Sequence, residues 1–330
     1  MELSWRTVTL RLRTPFRIAH GRSDERQAVM LRLGDGLGEA AVVPYLGWSV
    51  AGIEAYLTAV ASNMPGALLW EGRQPMLSLP PGPPPAQAAL DMALHDLWGK
   101  SEGRPLFELL GSDPDAMPET SLTVAMDSPQ AMARRAAESC HGIIKLKLGG
   151  PDDAAVVRAV RAASGARLRV DINGGWDFEQ AARMLPLLAD AGVELVEQPL
   201  PAGDVEGLRR LRDRCPGLPI FVDEGVQALG DLQALGGVAH GVVLKLQKLG
   251  GIAPTLRAIR KARRLGLRVM LGCMIESSLG VTAAAHLAPQ CDLVDLDGPL
   301  LIAEDPFLGL RHVGGRLLLP RQPGLGVKGR

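Results

Sequence analysis

From Ser121 to Asp297 the chain alternates short apolar, β-branched runs with longer stretches rich in Ala, Leu and Arg. The runs fall at 121–126 (SLTVAM), 142–148 (GIIKLKL), 167–172 (RLRVDI), 193–198 (VELVEQ), 219–223 (PIFVD), 241–247 (GVVLKLQ), 268–274 (RVMLGCM) and 293–297 (LVDLD). Each has the length of a buried strand, and intervening stretches such as 152–164, 177–191 and 254–265 are long enough for helices. A repeated strand–helix unit makes the strands parallel in one sheet. Eight strands predict a closed barrel, because an open sheet would need polar or covered edges.

The first third follows another pattern. Residues 1 to about 45 read as antiparallel strands: Trp5 to Leu12 alternates cleanly, Ala28 to Leu33 less so, and Gly34-Asp35-Gly36 makes a turn. The proline-rich LPPGPPPA, ending at Ala86, predicts a stiff, non-helical connector. Beyond it, Leu90, Ala93, Leu94, Leu97 and Trp98 share one face of a helix over 87–100. The tail after about 304 is rich in Gly and Pro and is expected to pack back on the first unit. The expected division is an α+β unit over 1–115, completed by 305–330, and a barrel over 116–304.

Composition narrows the function classes. At 330 residues, 47 % of them hydrophobic, the chain can bury a barrel core plus a smaller unit, which argues against wholesale disorder. Lys+Arg and Asp+Glu are equal at 36 each, so no basic surplus points to nucleic acid or an anionic membrane as partner. Cys140, Cys215, Cys273 and Cys291 have neither metal nor redox spacing and are expected to be reduced, in a cytoplasmic protein. The start, MELSWRTVTLRLRTPFRI, lacks the apolar core of a signal peptide, and no run is long enough to span a bilayer.

Five polar residues close five successive runs: Lys147, Asp171, Glu197, Asp223 and Lys245, in steps of 24, 26, 26 and 22 residues. That period delivers one side chain per unit to the same end of the barrel, where barrel enzymes place their catalytic groups. A lone strand-end Asp or Lys is as readily a cap or a surface ion pair; a set in register is not. Adjacent strands lie about 4.8 Å apart, so Asp171, Glu197 and Asp223 can converge on one cation. Only two lysines are counted as partners for these three carboxylates, so the set reads as a divalent metal site. All-oxygen ligation favours Mg²⁺, with Mn²⁺ as a substitute. Lys147 and Lys245 end strands four apart, on opposite sides of the mouth, which suits removing a proton from one face of a carbon and returning one to the other. A lysine must be neutral to act as a base, and Lys145, on the strand face of Lys147, is expected to lower its pKa, as the metal is. The metal would stabilise the enolate-like intermediate of a carboxylate substrate. Asn173 shares the face of Asp171, and Gln247 that of Lys245. Asp295 and Asp297, on the last strand, face inward away from the metal and suit a substrate ammonium; the plainer reading is a pair bridging to a basic neighbour.

The motifs KLKLGG (145–150), DINGGW (171–176), EQP (197–199), VDE (222–224) and KLQKLGG (245–251) together resemble the enolase superfamily, specifically its muconate-lactonising subgroup. ALDMALHDLWGK (89–100) looks like the helix of that family's capping domain, so the likeness covers nearly the whole chain. The resemblance implies an α/β fold, a modified TIM barrel of (β/α)7β type with an α+β capping domain. It carries the metal ligands over to Asp171, Glu197 and Asp223, and the acid/base pair over to Lys147 and Lys245. The stretch GCMIESSLGVTAAAHLAPQCDLVDLDGP (272–299) looks most like the dipeptide epimerases, whose Asp-x-Asp, matched by Asp295 and Asp297, binds the dipeptide's free amino group. The implied reaction is inversion at Cα of the C-terminal residue of a small dipeptide of the Ala-Glu type, with Lys145 and Glu276 among the substrate contacts and Asn173 behind the metal ligands. In Ala-Glu epimerases a basic loop residue after a Pro-Phe pair meets the substrate's side-chain carboxylate. Here that loop offers Arg17, His20 and Arg22, of which Arg22 is the candidate, while Asp24 and Glu25 would favour a cationic side chain instead.

On the same scaffold, o-succinylbenzoate synthase needs one base and no ammonium clamp, and N-succinylamino acid racemase acts on an acylated nitrogen; Asp295 and Asp297 weigh against both. A barrel that only binds metal has no need of two opposed lysines. A homo-oligomer is compatible with the sequence.

Overall fold

The computed structural model describes residues 2–62, 68–71 and 74–330. The N-terminal unit opens with an antiparallel sheet of β1 (Leu3–Ile18), β2 (Gly21–Leu33) and β3 (Gly36–Ala41), with β2 in the middle. Alternation along β2 buries Val29, Leu31 and Leu33 against Ile53 and Leu57 of α1 (Val50–Ala61) and Leu90 and Ala93 of α2 (Pro84–Ser101). A hairpin of β4 (Leu68–Glu71) and β5 (Gln74–Leu77) separates these helices in sequence. The connector expected to be non-helical is so over 79–83, but its last three residues start α2: prolines occupy the first turn, where a missing N–H breaks no helical hydrogen bond and the fixed φ suits the helix.

After α3 (Leu106–Leu109) the strand–helix repeat begins. The strands are β6 (Leu122–Val124), β7 (Ile143–Lys147), β8 (Arg167–Asp171), β9 (Val193–Glu197), β10 (Ile220–Val222), β11 (Gly241–Lys245), β12 (Arg268–Gly272) and β13 (Leu293–Asp295). They lie side by side in sequence order, all parallel, and a bridge between Thr120 and Val294 joins the two edges, so the sheet nearly closes. Between them run α4 (Pro129–Glu138), α5 (Asp153–Ala163), α6 (Phe178–Asp190), α7 (Val205–Arg214), α8 (Leu232–Leu235), the one-turn α9 (Leu246–Leu249) continuing into α10 (Ile252–Arg264), and α11 (Ser278–Ala285); α12 (Gly298–Leu301) follows the last strand. This is the (β/α)7β order.

All eight expected strands are present, and each ends earlier than its apolar run. The residues beyond the ends leave the sheet to build the mouth. Gln247 therefore lies in α9 rather than on the strand face of Lys245, and Asp297 precedes α12 rather than extending β13.

Inside the barrel, the residues two before the polar row form the layer beneath it: Leu195, Phe221, Val243, Met270 and Leu293 pack as one apolar cluster. Lys145 and Arg169 occupy the same layer and are fully buried. The tail packs on the N-terminal unit: Gly324 exchanges backbone hydrogen bonds with Leu106 and Arg104, and Leu325 N donates to Asp96 Oδ1. All four cysteines are unpaired. Among the described residues no helix is long and apolar enough to cross a membrane.

Candidate active site

Sheet register sets the row. Lys147 lies opposite Asp171, and Asp171 opposite Glu197. Asp223 follows β10, whose Phe221 lies opposite Glu197, and Lys245 lies opposite Gly272, which in turn faces Asp295. Glycine at 272 has a steric reason: a Cβ there would come 3.2 Å from Lys245 Cε and 3.1 Å from Val243 Cγ1, crowding the lysine.

The carboxylates are held by more cations than expected. Lys147 Nζ donates to Asp171 Oδ2 at 2.5 Å, and Lys245 Nζ to Asp223 Oδ2 at 2.7 Å. Lys145 Nζ lies 2.6 Å from Asp295 Oδ2, 2.8 Å from Glu197 Oε2 and 3.1 Å from Asp171 Oδ2. Lys248, one turn beyond Lys245, donates to Asp223 Oδ1 at 2.6 Å and to its carbonyl at 2.5 Å. Four ammoniums, not two, thus serve these acids, and a shortage of cationic partners no longer argues for a metal. Lys248 was readable as the second lysine of KLQKLGG, but its reach back to Asp223 depends on the one-turn helix α9.

The fit of the site to a divalent cation rests on two other observations. Glu197 is fully buried, yet neither carboxylate oxygen has an aligned hydrogen bond, although Lys145 Nζ approaches Oε2. In addition, six acidic side chains at the strand ends (Asp171, Glu197, Asp223, Glu224, Asp295 and Asp297) face four lysines, a formal excess of two that a +2 ion would offset with all six ionised. Among the described residues no three acidic, histidine or cysteine side chains are already drawn around one cation position; lysines stand among them. Donor chemistry and charge fit a hard cation.

The protonation states follow from the same contacts. Burial works against ionisation of Asp171, but Lys147 and Lys145 hold its carboxyl well below the usual range, and Lys245 and Lys248 do so for Asp223. Burial, reinforced by the Asp171 charge, pushes Glu197 far up. Lys245 is pushed down by burial, but Asp223 and Glu197 outweigh it and hold its ammonium well above the ordinary value.

The last strand departs from the expected open clamp. Asp295 is engaged by Lys145 Nζ and by Ser121 Oγ at 2.6 Å. Asp297 accepts from Thr123 N at 2.6 Å, and burial with the adjacent Asp295 charge pushes its carboxyl up to about 6. Both line a pocket over the barrel mouth with Lys145, Lys147, Lys245 and Asn173. The N-terminal unit contributes Phe16, Ile18, Arg26, Val43 and Tyr45 to that pocket, and β12 continues into Cys273, Met274 and Ile275 on its wall. Asn173, in the left-handed region at φ 48°, donates to Glu224 Oε1 at 3.0 Å and keeps its own Oδ1 unpartnered.

Two expected substrate contacts lie elsewhere. Arg22 is exposed, 3.3 Å from Asp24, and lines a separate surface cleft with Arg17 and Arg135. Glu276 is buried beside the pocket, accepting from Met274 N at 2.7 Å and Gln247 Nε2 at 2.8 Å. Gln247 also accepts from Ala41 N and donates to Glu39 O, fastening β3 of the N-terminal unit to the barrel. Glu39 in turn accepts from Ser277 and Gly280 at the start of α11.

Burial, then the Glu39 charge, pushes Glu276 up to about 8 from an ordinary 4.5. Between those values the folded state holds the extra proton, so its contribution to stability falls as pH rises. The unfolding midpoint is expected to decline across this range, and Glu276→Gln to flatten the decline. An unchanged slope in the variant would assign the dependence to another group.

Comparison with known proteins places this arrangement. Residues 1–111 match the mandelate racemase / muconate lactonizing enzyme N-terminal domain, and residues 129–330 match the enolase C-terminal domain-like family. An L-Ala-D/L-Glu epimerase of Bacteroides thetaiotaomicron is 34 % identical over 99 % of this chain and 88 % of that protein. A hydrophobic dipeptide epimerase of Roseobacter litoralis is 37 % identical over 99 % and 98 %. The solved dipeptide epimerase of Cytophaga hutchinsonii, complexed with Mg and D-Ala-L-Val, superposes with a TM-score of 0.89 at 27 % identity, covering 99 % of this chain and 95 % of that one. With both halves matched in order, the chain belongs to the mandelate racemase / muconate lactonizing enzyme family of the enolase superfamily.

Proposed function

We propose that the protein is a dipeptide epimerase that inverts Cα of the C-terminal residue by two-base proton transfer, with Mg²⁺ as cofactor. The observation that carries this reading is the pair Lys147 and Lys245, which end β7 and β11, four strands apart in the barrel, and line one pocket. A carbon held between them has one lysine on each face. The neutral lysine takes the Cα proton, the other ammonium delivers its own to the opposite face, and solvent then restores both protonation states. Run in reverse, the lysines exchange roles, so both epimers are substrates.

Asp171, Glu197 and Asp223 would hold Mg²⁺, with Mn²⁺ as a substitute. When bound, the ion supplies positive charge for the substrate carboxylate as Cα gives up its proton. Carboxylates so engaged relax their hold on Lys245, easing its release of a proton. Asp297, less committed than Asp295, takes the dipeptide's ammonium, and Asp295 keeps Lys145 in place. An acylated nitrogen offers Asp297 no charge, which disfavours the N-succinylamino acid racemase reading.

Incubating the protein with a panel of L,L-dipeptides and Mg²⁺ in deuterated water should give a one-deuterium mass gain at Cα of the second residue, together with the L,D product. Turnover of succinylated amino acids with no exchange in any dipeptide would overturn the proposal.

A further inference from the structure

Asp153 opens α5, is buried, and directs its carboxylate away from its own helix. Oδ1 accepts from Gly150 N at 3.0 Å; Oδ2 accepts from Gly149 N at 3.0 Å and from Trp176 Nε1 at 2.7 Å. Gly149 and Gly150 belong to the loop that follows Lys147, and Trp176 to the loop that follows Asp171. Every hydrogen bond this carboxylate accepts among the described residues comes from those two loops, and none from the amides of α5. It is therefore no helix cap. The glycines of KLKLGG and the tryptophan of DINGGW, which take no part in the chemistry proposed above, are its partners.

The two loops lie backbone against backbone. Gly149 has φ 110°, in the region that favours glycine. A Cβ at Gly175 would come 3.2 Å from Gly149 Cα and 3.0 Å from the Ile172 carbonyl, so no side chain fits between the loops. Trp176 is buried as well, and its indole N–H needs a protein acceptor. Asp153 thus ties together the loops rooted at Lys147 and Asp171. These two residues lie opposite each other in the sheet register, and Lys147 Nζ is 2.5 Å from Asp171 Oδ2.

The Lys245 side is tied separately. Gln198 Oε1 accepts from Asp223 N at 3.0 Å and from Gly225 N at 3.2 Å, joining the loops after β9 and β10. Lys248 then holds Asp223 from α9. No side chain is common to the two ties.

The geometry points to Asp153, acting through Trp176, as a positioning residue for one base alone, Lys147. Neither Asp153 nor Trp176 lines the pocket, so the effect runs through the loops and not through the substrate. This rests on the two-base reading above and adds that the two faces of Cα are served by independently held lysines.

The test follows Cα deuterium exchange from the L,L- and the L,D-epimer of one dipeptide separately, with the full-length protein at saturating Mg²⁺. The epimer that Lys147 serves is the one whose exchange survives in Lys245→Met. In Asp153→Ala and in Trp176→Phe, exchange from that epimer should slow roughly 10- to 100-fold, the effect of a base displaced by up to about 1 Å. Exchange from the other epimer should stay within about twofold of wild type, as expected for distant sites. Asp153→Asn should fall between, because its amide keeps one acceptor oxygen for three donors. Trp176→Phe leaves both glycine contacts in place and so carries the test should Asp153→Ala fail to fold. A merely structural role would slow both epimers alike, and that result would overturn the assignment. So would undiminished exchange from the epimer that Lys147 serves. A wild type that exchanges no dipeptide would instead overturn the two-base reading, and this assignment with it.

Discussion

Lys147→Met and Lys245→Met are each expected to abolish interconversion of epimers, with turnover falling by roughly 10²–10⁴-fold, the usual share of one positioned acid or base. Each variant should still exchange the Cα proton of one epimer with solvent, and the two variants should retain opposite epimers. The reason is geometric: each lysine ends a strand on its own side of the mouth, so removing one leaves the other face of Cα served. The measurement is deuterium incorporation by NMR, run separately on an L,L- and an L,D-dipeptide. Loss of exchange from both epimers in both variants would show only that the site collapses. Melting curves guard against that outcome, since Lys147→Met leaves Asp171 with Lys145 alone and Lys245→Met leaves Asp223 with Lys248. Undiminished interconversion in either variant would sink the two-base assignment.

The row of five was legible because it rests on two strong periodicities. Strand alternation fixed which residues face inward, and a unit of about 25 residues fixed that they share one end of the barrel. The eight strands were legible for the same reason. What was not legible depends on where side chains reach after the strands stop. Gln247 and Asp297 follow the run's alternation, yet the chain turns helical at Leu246 and Gly298, so alternation mispredicts their direction. Lys145 is expected beside Lys147 and among the substrate contacts; alternation does not show that its length also lets it span three carboxylates on three strands. The prolines before Ala86 illustrate a position effect: the same residue that breaks a helix interior is welcome in its first turn. Arg22 comes from a loop whose candidates, Arg17, His20 and Arg22, are read from their distance to Phe16, and that distance says nothing of which side chain reaches the barrel. The path of the N-terminal sheet decides it, leaving Arg22 exposed while Phe16, Ile18 and Arg26 line the pocket.

Mg²⁺ is expected to be required for turnover and to stabilise the fold, both effects being lost in Glu197→Gln. At a free concentration of about 100 times Kd, an ion that binds only the folded protein adds about 2.7 kcal/mol. For a chain of this size that raises the unfolding midpoint by several degrees. Glu197 is the informative position because neither of its oxygens has an aligned hydrogen bond, so an amide of the same shape breaks none. It leaves a neutral group where burial and the Asp171 charge already hold the metal-free carboxyl protonated, and Lys145 retains Asp295 and Asp171 as partners. The variant should therefore fold, melt close to the metal-free wild type, and bind Mg²⁺ more than about 10-fold more weakly by calorimetry. Chelation should remove activity from the wild type, and Mg²⁺ should restore it, with Mn²⁺ a partial replacement. Activity and melting that are indifferent to chelation would mean that the four lysines suffice to balance the carboxylates. The row would then be an ion-pair network, and the stabilisation of charge at the substrate carboxylate would have to come from the ammoniums alone.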